Sequence, residues 1–154
     1  MTSAATVSHM DLALVEGRAA AERGEVPVGA VIVGPTGTVL AAAGNRTREQ
    51  NDPTAHAEIV AIRQACRALG DERLTGCDLY VTLEPCPMCA AAISFARIRR
   101  VYYGASDPKG GGVENGPRIF NQATCHHAPE VYSGISEQES AGLLRTFFSE
   151  RRGG

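Results

Sequence analysis

The spacing between two short segments constrains this chain most. The segments His56-Ala57-Glu58 and Pro85-Cys86-Pro87-Met88-Cys89 each stand where a helix is predicted to begin, and Cys86 follows His56 by 30 residues. That interval holds one helix, one turn and one strand, and in an α/β layer such a connection returns the chain to the same edge of the sheet. The two helix N-termini are therefore expected to lie side by side.

The remaining chain alternates helix and strand. Four helix starts are predicted from capping residues or a first-turn proline, at Ser8, Thr54, Pro85 and Ser136. The first of these helices carries the apolar positions Leu12, Val15 and Ala19. Short apolar runs predict five strands, at residues 28–33, 39–43, 79–83, 101–103 and 130–133. The order predicts a three-layer α/β domain with helices on both sheet faces.

Length and composition set the outer limits. The chain has 154 residues, 44% hydrophobic and 21% charged, which is typical of one globular domain and excludes a disordered tail, a fibre and a coiled-coil rod. We expect a single domain over residues 1–154, with residues 1–8 as a mobile N-terminal tail. No apolar run approaches the roughly 20 residues of a membrane span, and residues 1–9 lack a signal-peptide pattern, so a cytoplasmic protein without membrane contact is expected.

The five cysteines point to a metal or to redox chemistry. They are odd in number and too few for a secreted disulfide scaffold, and two of them, Cys86 and Cys89, are clustered. Three residues apart on a helix, both thiols face one way, and a helix N-terminus favours the thiolate that binds metal. With His56 as third ligand, a tetrahedral zinc keeps one open position for water, as catalytic zinc sites do.

Glu58 is predicted to be the proton carrier of this site. Two residues from His56, it projects at another angle around the helix, so it is not expected to be a fourth ligand. It is instead placed to accept a proton from a metal-bound water and to protonate a departing amine. A redox Cys-x-x-Cys pair would leave His56 and Glu58 unexplained, and a purely structural zinc site would not need Glu58.

At these residues the chain resembles the cytidine deaminase-like superfamily and, within it, the bacterial tRNA-specific adenosine deaminases. The resemblance runs from about His9 to Arg152 and includes residues 26–31 (Val-Pro-Val-Gly-Ala-Val), residues 52–58 (Asp-Pro-Thr-Ala-His-Ala-Glu) and residues 80–86 (Tyr-Val-Thr-Leu-Glu-Pro-Cys). It implies a three-layer α/β/α sandwich with a central mixed five-stranded sheet, one Zn²⁺ per subunit, and a homodimer. The deaminase signature of a His-x-Glu and a Pro-Cys-x-x-Cys segment is specific to this chemistry.

The resemblance also implies a reaction and roles for individual residues. Such enzymes hydrolyse the wobble adenosine of a tRNA anticodon to inosine. His56, Cys86 and Cys89 match the zinc ligands, and Glu58 matches the proton shuttle. Asn45 falls where the family holds the flipped base, and Asp107 and Lys109 fall in the segment that contacts RNA.

Two questions remain open at the level of sequence. A deaminase of a free base such as guanine would share the same zinc motif, although the C-terminal residues 143–152 are similar to the last helix of the tRNA enzymes. Residues 106–129, rich in Gly, Pro, Asn and His, are predicted to be a long functional loop that departs from the familiar tRNA enzymes. Within that loop, Cys125, His126 and His127 are interpreted as polar loop residues rather than a second metal site.

Candidate RNA contacts by charge alone are Arg97, Arg99, Arg100, Lys109, Arg151 and Arg152.

Overall fold

The structure is a computed structural model that describes residues 4–153, with side chains described for residues 9–151. In chain order the elements are α1 (Ala4–Glu22), β1 (Gly29–Val33), β2 (Val39–Gly44), α2 (Ala57–Leu69), β3 (Asp78–Leu83), α3 (Pro87–Ala96), β4 (Arg100–Ala105), a 3₁₀ helix (Ile119–Asn121), β5 (Glu130–Tyr132) and α4 (Glu137–Gly153). Within this part of the chain, no helix combines the length and apolar content that a bilayer crossing requires.

The five strands form one mixed sheet in the order β2-β1-β3-β4-β5. The strand β1 is antiparallel to both β2 and β3, whereas β3, β4 and β5 are parallel. The register pairs Leu83 with Ala105, so β3 and β4 end at the same edge of the sheet. That edge is where the chain enters α3 and where residues 106–129 begin.

Helices cover both faces of the sheet. Alternate strand residues point to opposite sides, so Ala30, Ile32 and Leu79 pack in a core that includes residues of α2 and α3. On the other side, Val31 and Val33 pack with Met10 and Ala13 of α1, and α4 also lies against α1 and β4. The predicted three-layer α/β/α fold with a mixed five-stranded sheet is confirmed.

The buried face of α1 differs from the predicted one. Val15 is 52% exposed, and the buried positions are Met10, Ala13, Leu14, Gly17 and Ala20. Three of these residues, Ala13, Gly17 and Ala20, are small because the helix backbone lies directly on β1 there. A Cβ atom at Gly29 would stand 1.8 Å from the carbonyl oxygen of Ala13. Close backbone approach, rather than apolar spacing, therefore decides which side of α1 is buried.

Three helix starts also differ from prediction. The helix α1 extends back past Ser8 to Ala4, since residues 4–8 contain no helix breaker. Of the predicted tail over residues 1–8, residues 4–8 thus belong to α1, and residues 1–3 lie outside the described part. The Thr54 hydroxyl donates to Asp52 instead of capping a helix, and α2 begins after His56. In α3 it is Pro87, not Pro85, that occupies the first turn.

Candidate active site

The N-cap positions of two helices carry a histidine and a cysteine. His56 is the N-cap residue of α2 and Cys86 that of α3, and neither side chain makes a capping hydrogen bond. Cys89 lies in the first turn of α3 and is fully buried. The Nδ1 atom of His56 lies 3.6 Å from the Cys86 Sγ and 3.5 Å from the Cys89 Sγ. The fold thus brings the three predicted ligands together.

The geometry of these three atoms fits zinc. All three lie within 4.8 Å of one another, and they are the one such group of His, Cys, Asp and Glu side chains in the described part of the chain. Ligand atoms on a tetrahedral zinc stand about 3.6 Å apart when zinc–sulfur and zinc–nitrogen bonds are about 2.3 and about 2.0 Å long. The observed nitrogen–sulfur distances agree with that value. Glu58 is not a member of the group.

The local electrostatics favour a thiolate at Cys86. A hydrogen bond from the Cys89 thiol, together with one from His56, lowers the pKa of Cys86 to about 4. The positive ends of the α2 and α3 dipoles act in the same direction. The hydrogen bond to Cys86 raises the pKa of His56 above its ordinary value. A sulfur already held as thiolate is the form that a divalent metal binds.

Glu58 is a buried carboxyl group beside this cluster. It is 4% exposed and lies in the first turn of α2, two residues after His56. Burial is the main cause that raises the pKa of Glu58 to about 7. A carboxyl group with such a pKa is suited to accept and return a proton near neutral pH.

A cavity of about 260 Å³ opens onto the cluster. Its lining includes Asn45 from the end of β2 and Asp107 and Gly110 from the segment after β4. The Asn45 Oδ1 atom accepts a hydrogen bond from the Ala57 N–H at 3.2 Å, which leaves its amide N–H groups as the donors for a ligand. Lys109 is exposed and is not among the residues lining the cavity in the described part of the chain. The remaining lining residues are Val26, Val28, His56, Glu58, Leu83, Glu84 and Cys86.

Comparison with known proteins decides the family. Residues 4–105 match the model of the cytidine and deoxycytidylate deaminase zinc-binding region. Over 143 residues, the chain is 71% identical to the tRNA-specific adenosine deaminase of Agrobacterium fabrum, which covers 93% of each chain. The chain belongs to the tRNA-specific adenosine deaminases. The family match and the His56, Cys86 and Cys89 cluster identify zinc as the cofactor of the deaminase.

Solved structures place the deaminase nearer to one branch of the superfamily than to another. A solved structure from work on A-to-I editing by tRNA:A34 deaminases at the wobble position superimposes on this chain with a TM-score of 0.88. The two sequences are 71% identical, and the match covers 89% of this chain and 99% of the other. The guanine deaminase of Bacillus subtilis gives a TM-score of 0.63 and 31% identity, covering 94% of this chain and 92% of the other. Both branches share the fold, and the first is the more similar in sequence, at 71% against 31% identity.

Two buried carboxylates that the sequence did not reveal hold the segments beside the cavity of the deaminase. Glu25, 1% exposed, accepts hydrogen bonds from the N–H groups of Arg48 and Glu49 and from the Thr47 hydroxyl. Glu84, 2% exposed, likewise accepts hydrogen bonds from backbone N–H groups of the segment after β4. Burial acts to raise the pKa of each group, but the hydrogen bonds outweigh it and hold both pKa values below the ordinary range.

The basic residues suggested by charge divide into two sets. Arg99 and Arg100 pair with Asp78 and Glu130 at the opposite end of the sheet from the cavity, so they are not part of the site. Arg151, in contrast, donates to the Gly24 carbonyl at 2.6 Å, which also accepts from Arg48 at 3.2 Å.

Sequence reasoning missed Arg48 and also Arg23, which donates to the carbonyl of Asn45 at 3.0 Å. Arg97 is the C-cap residue of α3. The side chain of Arg152 lies outside the described part.

Of the residues Cys125, His126 and His127, the last attaches their loop to the rest of the protein. The Cys125 thiol and the Ser94 hydroxyl both donate to the His127 carbonyl, at 3.1 and 2.6 Å. The His127 ring, through Nε2, donates to the Ile98 carbonyl at 2.7 Å. Within the described residues these three side chains form no cluster of metal-ligand atoms.

Proposed function

We propose that the deaminase hydrolyses the wobble adenosine of a tRNA anticodon to inosine with release of ammonia. The observation that carries this proposal is a buried Glu58 beside the His56, Cys86 and Cys89 cluster, in a chain 71% identical to a named tRNA-specific adenosine deaminase. Since the proposed substrate is tRNA, we place the protein in the cytoplasm.

Three residues would bind the metal, and a fourth, Glu58, transfers the protons. His56, Cys86 and Cys89 would hold the zinc ion, which when bound lowers the pKa of a water molecule and so supplies a nucleophile at neutral pH. Glu58 accepts the proton that this water loses and passes it to the ring nitrogen of adenine. It then takes the second proton from the attacking oxygen and delivers it to the amine. The C6–N bond breaks as C6 becomes a carbonyl, so that water and adenosine give inosine and ammonia.

The walls of the cavity position the base. An adenosine stacked in an anticodon loop does not expose C6, so the base has to leave the stack and enter the cavity. Asn45 presents its amide donors to the polar edge of the base, and Asp107 faces the nucleotide from the other wall. Lys109, Arg48 and Arg151 carry the exposed positive charge for the RNA backbone near these two walls.

Parallel assays with two substrates test the proposal. Zinc-loaded protein is offered an anticodon stem–loop with adenosine at the wobble position and, separately, free guanine, with ammonia release as the readout. We expect inosine in the stem–loop and unchanged guanine. A stem–loop with cytidine at the wobble position is the matched control and should stay unchanged. Guanine turnover with an inert adenosine stem–loop would assign the protein to the free-base branch.

We also propose that two chains form a homodimer through the outer face of α3. The inner side of residues 90–96 packs into the core, whereas Phe95 is 75% exposed. Two cavities of about 220 and about 560 Å³ flank its ring. A large exposed aromatic side chain between two hollows is typical of a surface that another protein covers.

Replacing Phe95 by serine should separate the two chains. We expect light scattering at micromolar concentration to give twice the mass of one chain for the wild type and the mass of one chain for Phe95→Ser. Val15→Ser, at a position 52% exposed on α1, should leave the mass unchanged. A wild-type protein with the mass of one chain would contradict the proposal.

A further inference from the structure

Glu84 joins the zinc-binding motif to a separate segment of the chain. It directly follows β3, two residues before Cys86, and its carboxylate is buried. The Oε2 atom accepts hydrogen bonds from the backbone N–H groups of Val113, Glu114 and Asn115, at 3.1, 2.9 and 3.1 Å. The other carboxylate oxygen, Oε1, also accepts hydrogen bonds.

The donors to Oε1 come from both ends of the same segment. The Asp107 N–H lies 3.0 Å from Oε1, the Asn115 side-chain amide 2.6 Å and the Ser106 hydroxyl 3.4 Å. One buried carboxylate thus closes residues 106–115 into a loop. Hydrogen bonds to an ionised acceptor are stronger than neutral ones, so this loop is held firmly although it contains no helix or strand.

Two glycines let the loop lie directly on the zinc-binding motif. A Cβ atom at Gly111 would stand 2.5 Å from the Glu84 carboxylate, and one at Gly112 would stand 2.5 Å from the Pro87 nitrogen. The Gly112 N–H also donates to the Pro85 carbonyl at 2.8 Å. The position of the loop is therefore fixed relative to the backbone that carries Cys86.

We propose that Glu84 is a positioning residue for the deamination, because its carboxylate sets where Asp107 and Gly110 stand in the wall of the substrate cavity. This inference depends on the proposed function for the identity of the substrate. Glu84 acts through the loop and not through the proton path. Its loss should therefore weaken substrate binding while leaving the zinc ligands and Glu58 in place.

The test is the Glu84→Gln variant of the full zinc-loaded chain. Glutamine keeps the shape of the side chain, but an NH2 group replaces one of the two carboxylate oxygens. That NH2 group cannot accept the hydrogen bonds that the loop N–H groups donate to the oxygen. We expect an increase in KM for the adenosine stem–loop of at least about tenfold, since buried donors lose their acceptor. We expect kcat to change by less than about threefold and the zinc content to match the wild type.

A control variant and two further measurements separate positioning from general stability. Asp78→Asn is the matched control, because Asp78 is a buried carboxylate at the other end of β3, where it binds Arg99. It should leave KM unchanged even if it lowers the melting temperature. Amide exchange at residues 113–115 should accelerate in Glu84→Gln and not in Asp78→Asn. In an Asp107→Ala background, Glu84→Gln should add little to KM, because the residue that it positions is already gone.

The outcomes distinguish this inference from the proposed function. A wild-type protein that ignores the stem–loop and deaminates guanine contradicts the proposed function, and the same KM comparison then runs on guanine. An active wild type with an unchanged KM in Glu84→Gln overturns the positioning role. Loss of zinc in Glu84→Gln also overturns it, since Glu84 would then support the metal site itself.

Discussion

Replacing Glu58 by glutamine is expected to lower the deamination rate by roughly 10²- to 10⁴-fold, the usual contribution of a general acid–base group, without loss of zinc. Glutamine fits the same buried position in the first turn of α2 but does not carry a proton between water and the leaving amine. Because His56, Cys86 and Cys89 are intact, each chain should still hold one zinc ion. Single-turnover deamination of the stem–loop, with the metal content measured on the same sample, checks both parts.

The matched control for this variant is Glu139→Gln. Glu139 is exposed in the first turn of α4, so the substitution makes the same change of charge away from the cavity. It should leave the rate unchanged. A Glu58→Gln protein that holds zinc and works within about tenfold of the wild type would contradict the role of Glu58 as proton carrier. That result would favour a zinc protein that does not use Glu58.

Replacing Gly29 by alanine is expected to reduce the free energy of unfolding by about 3 kcal/mol or more, at the upper end of the cost of overpacking. The added Cβ would stand 1.8 Å from the Ala13 carbonyl oxygen and 2.6 Å from the Gly17 nitrogen. Both atoms belong to the backbone of α1, which cannot rotate away as a side chain does. Urea unfolding followed by circular dichroism measures the loss.

Gly142→Ala provides the contrast. The nearest heavy atom to its added Cβ is a side-chain nitrogen of Arg145 at 3.7 Å, and Gly142 lies inside α4. Alanine is the better helix former there, so we expect a gain of about 0.5–1 kcal/mol. Equal urea midpoints for Gly29→Ala and the wild type would show that α1 moves away from β1 at little cost.

The order of elements could be predicted from sequence because each depends on local signals. The turn at residues 34–37, the left-handed Gly70 after α2 and the apolar runs of β1 and β3 are all contained in a few consecutive residues. The face of α1 could not be predicted, since it depends on Gly29 and Gly44, which are distant in sequence. The starts of α2 and α3 were predicted two residues too early, at Thr54 and Pro85, because the actual N-cap residues, His56 and Cys86, make no side-chain capping hydrogen bond.

The same distinction applies to the site. The ligand set and Glu58 stand in two short motifs, so the residue types and their spacing can be recognised in the sequence alone. Glu25 and Glu84 have no such signature, because a carboxylate that accepts backbone N–H groups places no demand on the residue types that donate them. The position of Arg48 beside Gly24 likewise depends on the loop that Glu25 folds.

The two buried carboxylates have a consequence for how such an enzyme changes its substrate range. Glu25 and Glu84 bind backbone N–H groups of their loops on the protein side, whereas the side chains at positions 48–50, 108 and 109 are exposed to solvent. We expect variation at those outward positions to alter contacts around the target base without moving the loop backbone. Directed evolution toward other nucleotide contexts therefore has a constant backbone frame and five variable positions, and libraries that spare Glu25 and Glu84 should retain the most folded members.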